Sequence, residues 1–231
     1  MKEFFTTTIG AWDDGSVRLT APGIAVVVVI IALLVVVAAV IRHRNAEKKT
    51  ILTTKQLVYS AVAIALAVVC SMIKFANLPM GGSVTLFSML FIALIGYWYG
   101  PEVGLMSGFA YGFLEFAQDG GSYILSPMQA CMDYIFAFAA LGLSGFFYQK
   151  KNGLIKGYIL AILVRGLFHT IGGYLYWMDY MPDNFPKSLA AIYPIVYNYS
   201  YILAEAVITL IVISLPPVKK ALVRVGMMAR E

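Results

Sequence analysis

The chain reads as an all-α integral membrane protein of seven spans, with its N-terminus outside and its C-terminus in the cytoplasm. Three features predict this. Of the 231 residues, 61% are hydrophobic and only 13% charged, against roughly a quarter charged in soluble domains. The apolar residues gather in stretches near the length of about 17–25 residues that a helix needs to cross hydrocarbon. Lys and Arg gather in alternate gaps between those stretches. The formal charge of +5 therefore belongs to membrane loops, and nucleic-acid binding is set aside.

The spans run approximately over 22–41, 56–74, 84–99, 102–118, 126–148, 154–178 and 191–215. Arg42, Arg44, Lys48, Lys49 and Lys55 separate the first two. Lys150, Lys151 and Lys156 separate the fifth and sixth, and Lys219, Lys220, Arg224 and Arg230 follow the seventh. Twelve of the 17 basic residues thus fall on one side, which the positive-inside rule makes cytoplasmic. The expected organisation is an extracellular segment (1–21), a transmembrane anchor (22–41), a basic cytoplasmic linker (42–55), a six-helix membrane domain (56–215) and a basic cytoplasmic tail (216–231).

The first span, GIAVVVVIIALLVVVAAVI, has no polar side chain and no aromatic. About twenty residues precede it and no clear cleavage site follows, so it reads as an uncleaved anchor rather than a signal peptide. Spans three and four meet at a tight Gly100-Pro101 turn, as in a hairpin. Small residues recur every fourth position in span two (Ala61 and Ala65, with Ala63 and Ala67 offset) and in span four (Gly104, Gly108, Gly112). Such stripes let helix backbones approach closely in lipid. Internal packing is the expectation for the glycines; a docking surface for another protein competes with it for the alanines. Cys70 and Cys131 both lie in apolar stretches and suggest neither a disulfide framework nor a metal motif.

Polar groups in the outward halves of spans five, six and seven carry the chemistry. Hydrocarbon offers no partner to a lone polar group, so each needs a reason to be there. Span five carries Asp133, roughly 10 Å below its outer end, with Tyr134 beside it. Two readings of Asp133 stand: an ion pair with a neighbouring helix, or the counter-charge of a cationic or hydrogen-bond-donating ligand. In span six, Arg165, His169, Gly173 and Trp177 are four apart and share a helix face. His169 and Trp177 stand about 12 Å apart along the axis with bare glycine backbone between them, a slot that suits a flat heteroaromatic ring. Singly, each residue has a plainer reading: His169 on a backbone carbonyl, Gly173 admitting a helix, Trp177 anchoring at the interface. Together, at this spacing, they favour a site. Span seven places Tyr193 near the outer surface and Asn198 roughly 7 Å deeper, so that Asp133, His169 and Asn198 share a depth.

Arg165 and Glu205 lie near the midplane, where each is too costly alone; they are expected to pair with each other or with backbone, not with ligand. The Asn198-Tyr199-Ser200 sequon falls within a span and carries no weight. HExxH, GxSxG, P-loop and Cys/His metal patterns are all lacking, so no metal site and no cofactor are expected, and active transport needs energy from another subunit.

Four stretches in order, PMGGSVTL (79–86), SPMQACMDYIFAFAALGLSG (126–145), RGLFHTIGGYLYW (165–177) and YPIVYNYSY (193–201), resemble the thiamin-specific substrate-binding (S) components of energy-coupling factor (ECF) transporters. The resemblance covers most of 56–215. It implies a six-helix S-component-like bundle, here with one additional N-terminal helix, in a bacterial cell membrane. Such a protein is no enzyme: it takes thiamin from outside and hands it to a transmembrane coupling subunit with two ATPases, which use the ATP. The family's pocket residues fall on Asp133, expected on the aminopyrimidine, on His169 and Trp177 beside the rings, and on Gly173, Tyr193 and Asn198. Tyr123 in the outer loop matches a family tyrosine, and Gln129 lies one turn before Asp133. The family's coupling surface falls on Ala61/Ala65 or Ala63/Ala67. The acidic position is Asp rather than Glu, one methylene shorter, so the helix must approach the ligand more closely or use water. A flat two-ring cation suits aromatic walls and one carboxylate. The alternatives are an S component for another small heterocycle, a membrane enzyme using Asp133 and His169 as an acid–base pair, and a structural membrane protein.

Overall fold

The structure, a computed structural model, describes residues 6–8, 17–19, 52–119 and 123–231. The expected anchor at 22–41 and most of the basic linker lie outside the described residues. Near the N-terminus, β1 (Thr6–Thr8) and β2 (Val17–Leu19) pair antiparallel.

Helix α1 (Thr54–Ser71) opens on a capping box. Thr53 Oγ1 accepts from the Gln56 N–H at 3.2 Å, and Gln56 Oε1 accepts from the Thr53 N–H at 2.9 Å. Two N–H groups that a helix start leaves free are thereby satisfied. The helix stops short of the expected residue 74 because Lys74–Asn77 forms a strand, β3, paired antiparallel with β4 (Ser83–Thr85). The third span therefore begins as a ribbon strand, which β-branched Val84 and Thr85 favour. Phe87, in the left-handed conformation at φ 59°, then turns the chain into α2 (Ser88–Tyr99).

At twelve residues, α2 is about 18 Å long, well short of a hydrocarbon core of about 30 Å. Met89, Leu90, Ile92, Ala93, Leu94 and Ile95 bury its whole circumference. A helix apolar all round belongs inside, and α2 is the centre of the bundle. Gly100, at φ 94°, makes the expected turn into α3 (Pro101–Gln118), with Pro101 at its first position.

The glycine stripe of α3 packs internally, as expected. A Cβ at Gly104 would come within 2.7 Å of the Gly142 carbonyl oxygen, at Gly108 within 2.5 Å of that of Phe138, and at Gly112 within 2.3 Å of that of Tyr134. All three face α4 (Pro127–Phe147), so the two backbones touch along a line that any side chain would break. Helix α5 (Gly153–Tyr180) and α6 (Tyr193–Ser214) complete the wall. The segment expected as a basic tail forms α7 (Pro216–Arg230), which packs against α1, α2 and α6. Among the described residues, Thr54–Ser71, Pro127–Phe147, Gly153–Tyr180 and Lys187–Ser214 are long and apolar enough to cross a bilayer. The fold is an all-helical membrane bundle with its ribbon β3–β4 at one end and α7 at the other.

Of the alanines on α1, Ala63 and Ala67 are buried against the bundle, while Ala61 and Ala65 face outward among exposed Leu57, Val58, Val62, Leu66 and Val69.

Candidate functional site

At the ribbon end, helices α3 to α6, with the ribbon turn and the start of α2, line an open cavity. Tyr123, Gln129, Asp133, Tyr134, His169, Gly173, Trp177, Tyr193 and Asn198 all line it. Two helices leave α geometry where they meet it. Helix α4 is π-helical over Cys131–Phe136, around Asp133, and α5 over Gly173–Trp177. A π segment adds a residue to the turn and re-aims the side chains, and such segments concentrate at functional sites.

Asp133 is the hub. Its Oδ2 accepts from Gln129 Nε2 at 2.6 Å and from Trp177 Nε1 at 3.1 Å, and its Oδ1 lies 3.3 Å from His169 Nδ1. Gln129 is itself held by the Leu125 N–H at 3.0 Å. The carboxylate therefore ties α4 to both ends of the His169–Trp177 slot. His169 Nε2 is buried without a partner among the described residues. Space for this arrangement comes from Gly172, which the sequence reading passed over: a Cβ there would stand 2.9 Å from Asp133 Oδ1.

Gly173 lines the cavity and also takes its plainer role, since a Cβ would meet Pro194 at 2.8 Å and Asn198 Nδ2 at 3.2 Å. The floor of the slot is thus the opening turn of α6. Asn198 donates to the carbonyls of His169 (3.2 Å) and Pro194 (2.8 Å) and accepts from Tyr201 at 3.1 Å. It ties α6 to α5 at the depth of Asp133 and His169. Tyr134 donates to Asp119 at 2.8 Å. Tyr193 packs edge-on to Phe185, and the Tyr123 ring lies against Gly81 in the ribbon turn. Tyr197 holds that turn from the other side: its hydroxyl accepts from the Gly82 N–H at 3.1 Å and donates to the Pro79 carbonyl. Sequence reasoning missed Tyr197; the signal that could have found it is the spacing of Tyr193, Tyr197 and Tyr201, four apart on α6.

The expected Arg165–Glu205 ion pair is not formed. Glu205 Oε2 accepts from the Thr85 N–H (2.9 Å) and hydroxyl (2.6 Å), and Oε1 from the Met89 N–H (3.3 Å). The turn from β4 into α2 points free N–H groups at this carboxyl, and they satisfy it, which is the backbone alternative. Arg165 instead stacks over Phe138, its Cζ 4.1 Å from the ring centre, with Nε and Nη1 buried and, among the described residues, unbonded. Both line the inner end of the cavity, joined by Glu115, which the sequence reading did not single out. The carboxyl groups of Glu115, Asp119, Asp133 and Glu205 share the wall with Lys74, Arg165 and His169.

Comparison with known proteins bears on this cavity. Residues 57–224 match the model of the thiamine transporter protein family. The thiamine transporter ThiT of Bacillus subtilis is 30% identical over 184 residues, covering 74% of this chain and 92% of that protein. ThiT of Lacticaseibacillus paracasei is 25% identical over 142 residues, covering 55% of this chain and 69% of its own. A solved structure of ThiT from Listeria monocytogenes aligns with a TM-score of 0.57 at 25% identity, over 70% of this chain and 94% of that one. The match spans the ribbon, α1 to α6 and every residue of the Asp133 hub, and the chain belongs to the thiamine transporter protein family.

Proposed function

We propose that this protein binds thiamin in the cavity from outside and delivers it as the substrate-specificity subunit of an ATP-driven ECF transporter. The observation that carries the reading is Asp133, a carboxylate held at membrane depth by Gln129, Trp177 and His169 in a chain of this family. Among the described residues its Oδ1 has only the long His169 contact, and a carboxylate oxygen accepts more than one hydrogen bond. The aminopyrimidine N–H groups of thiamin are fitting donors. His169 Nε2 supplies a second unbonded polar atom. Trp177, Tyr193 and Tyr123 offer aromatic faces to the rings, with Tyr134 behind Asp133. The Asp133 carboxylate on the wall suits a cation. Asn198 and Gly173 shape the slot, Asn198 by fixing α6 against α5.

The binding domain is 56–215, its cavity opening to the outside, with 22–41 as an added anchor. Because no ATPase motif occurs in the sequence, uptake requires a coupling subunit and two ATPases. Ala61 and Ala65 form the docking stripe, since they are the pair that α1 turns outward. Labelled thiamin uptake tests the whole reading, in cells that lack their own transporter and express this chain with or without an ECF coupling module. Uptake only with the module is expected. Equal uptake without it contradicts the S-component role, and no uptake of thiamin while another heterocycle enters contradicts the substrate.

A further inference from the structure

Helix α7 leaves the bundle at the end opposite the cavity mouth, directly after α6 stops at Ser214 and Leu215 turns the chain through extended backbone. One stripe of it is packed. Gly226 sits against Trp98, where a Cβ would come 2.8 Å from the indole nitrogen, and the Ala229 carbonyl accepts from the Tyr99 hydroxyl at 3.0 Å. Leu222 lies on the same stripe, one turn earlier. Away from it, Lys220 and Arg224 project one turn apart, with Lys219 and Arg230 nearer the packed edge, all exposed. Flanking that basic pair are Val223 and Met227 on one side and Val225 and Met228 on the other, 39–51% exposed.

Such a surface is too apolar for free water and too basic for hydrocarbon. It matches the boundary between lipid headgroups and acyl chains, where methionine and valine embed and long basic side chains reach the phosphates. Lys55, Lys150, Lys151 and Lys156 are exposed too, in segments at the same end of the helices, while Glu102 and Glu231 are the described acids there. The charge complement of this end is an anionic lipid surface.

We propose that α7 is an interfacial helix that binds anionic phospholipid headgroups through Lys219, Lys220, Arg224 and Arg230, and so clamps the α2–α3 turn to the leaflet. The inference does not depend on which solute the cavity takes.

The test is the melting temperature of the full chain in mild detergent, with added phosphatidylglycerol or phosphatidylcholine. Phosphatidylglycerol should raise it by about 4 °C or more beyond phosphatidylcholine, with the gain shrinking as salt rises from low to high. Replacing the four α7 bases with Gln should remove at least half of that gain, leaving the melting point in phosphatidylcholine unchanged as the check on folding. Replacing Lys150, Lys151 and Lys156 with Gln should leave most of it. Equal shifts with both lipids, or a gain that survives the α7 substitutions, overturns the proposal. So does loss of module-dependent uptake in the α7 variant without any lipid-specific shift, which would make α7 a protein-docking surface instead.

Discussion

Asp133 draws its partners from its own helix and from the next: Gln129 one turn back, Trp177 and His169 across on α5. Removing it takes an acceptor from the ligand and leaves several donors unpaired in a desolvated site. Asp133→Ala should therefore weaken thiamin binding by about 2 kcal/mol, roughly thirtyfold, measured by calorimetry. An affinity within twofold of the parent would remove Asp133 from the binding residues. Gly172 has a subtler part. Its missing Cβ leaves room for Asp133 Oδ1, so Gly172→Ala should displace the carboxylate and weaken binding about tenfold. Unchanged affinity would show that the carboxylate has room to yield. The residues of the hub were legible because a carboxylate, an imidazole and an indole at membrane depth are costly without a reason. Gly172 was not: what a glycine makes room for depends on which side chain arrives from another helix. Asn198 was read from its depth, but its amide is satisfied by two carbonyls and a tyrosine, partners set by the crossing of α5 and α6.

At the scale of elements, four of the expected spans recur among the described residues as helices long and apolar enough to cross a bilayer. The first lies outside those residues, and the third and fourth form the shorter helix α2 and the helix α3. Residues 74–77 and 83–85 pair as a ribbon, which takes residue 74 from the end of the second expected span and 84–85 from the start of the third, because a four-residue strand is too short to register against a 20-residue window. The π segments of α4 and α5 leave no mark in composition, yet they set which way Asp133 and Trp177 point. Glu205 and Arg165 show how the same physics admits two answers. A lone midplane charge needs a partner, and an ion pair was one solution. The structure uses the other for Glu205, through N–H groups of the β4–α2 turn that no spacing rule reveals. The consequence is asymmetric. Glu205→Ala strands those donors and should cost about 2–3 kcal/mol of stability. Arg165→Met keeps the packing on Phe138 and should cost less than about 1 kcal/mol. Reversible unfolding in mixed detergent micelles separates the two, and equal losses would mean that they act as a pair after all.

On the proposed function, the whole molecule divides its work along the bundle axis: binding at the ribbon end, docking along the outward face of α1, and a basic helix at the far end. Sequence patterning exposed the small-residue stripe on α1 but not which of its alanines face outward, which is set by how α1 rotates against α2. With Ala67 fully buried and Ala61 outward, the two should respond differently to bulk. Ala61→Trp should abolish module-dependent uptake while leaving thiamin affinity within about twofold; Ala67→Trp should overpack the core and lower stability by about 1–3 kcal/mol or prevent folding. Intact uptake in Ala61→Trp would move the docking surface elsewhere.

Thiamin binding by the isolated chain is the claim on which the proposed function depends. It is tested most directly by titrating the purified full-length protein with thiamin and following tryptophan fluorescence. Trp177 stands on the cavity wall, whereas Trp98 is buried against α7. Saturable quenching at submicromolar thiamin, lost in Trp177→Phe and shifted to higher concentration in Asp133→Ala, is the predicted result. No saturable response to thiamin in protein that folds and melts cooperatively would contradict it.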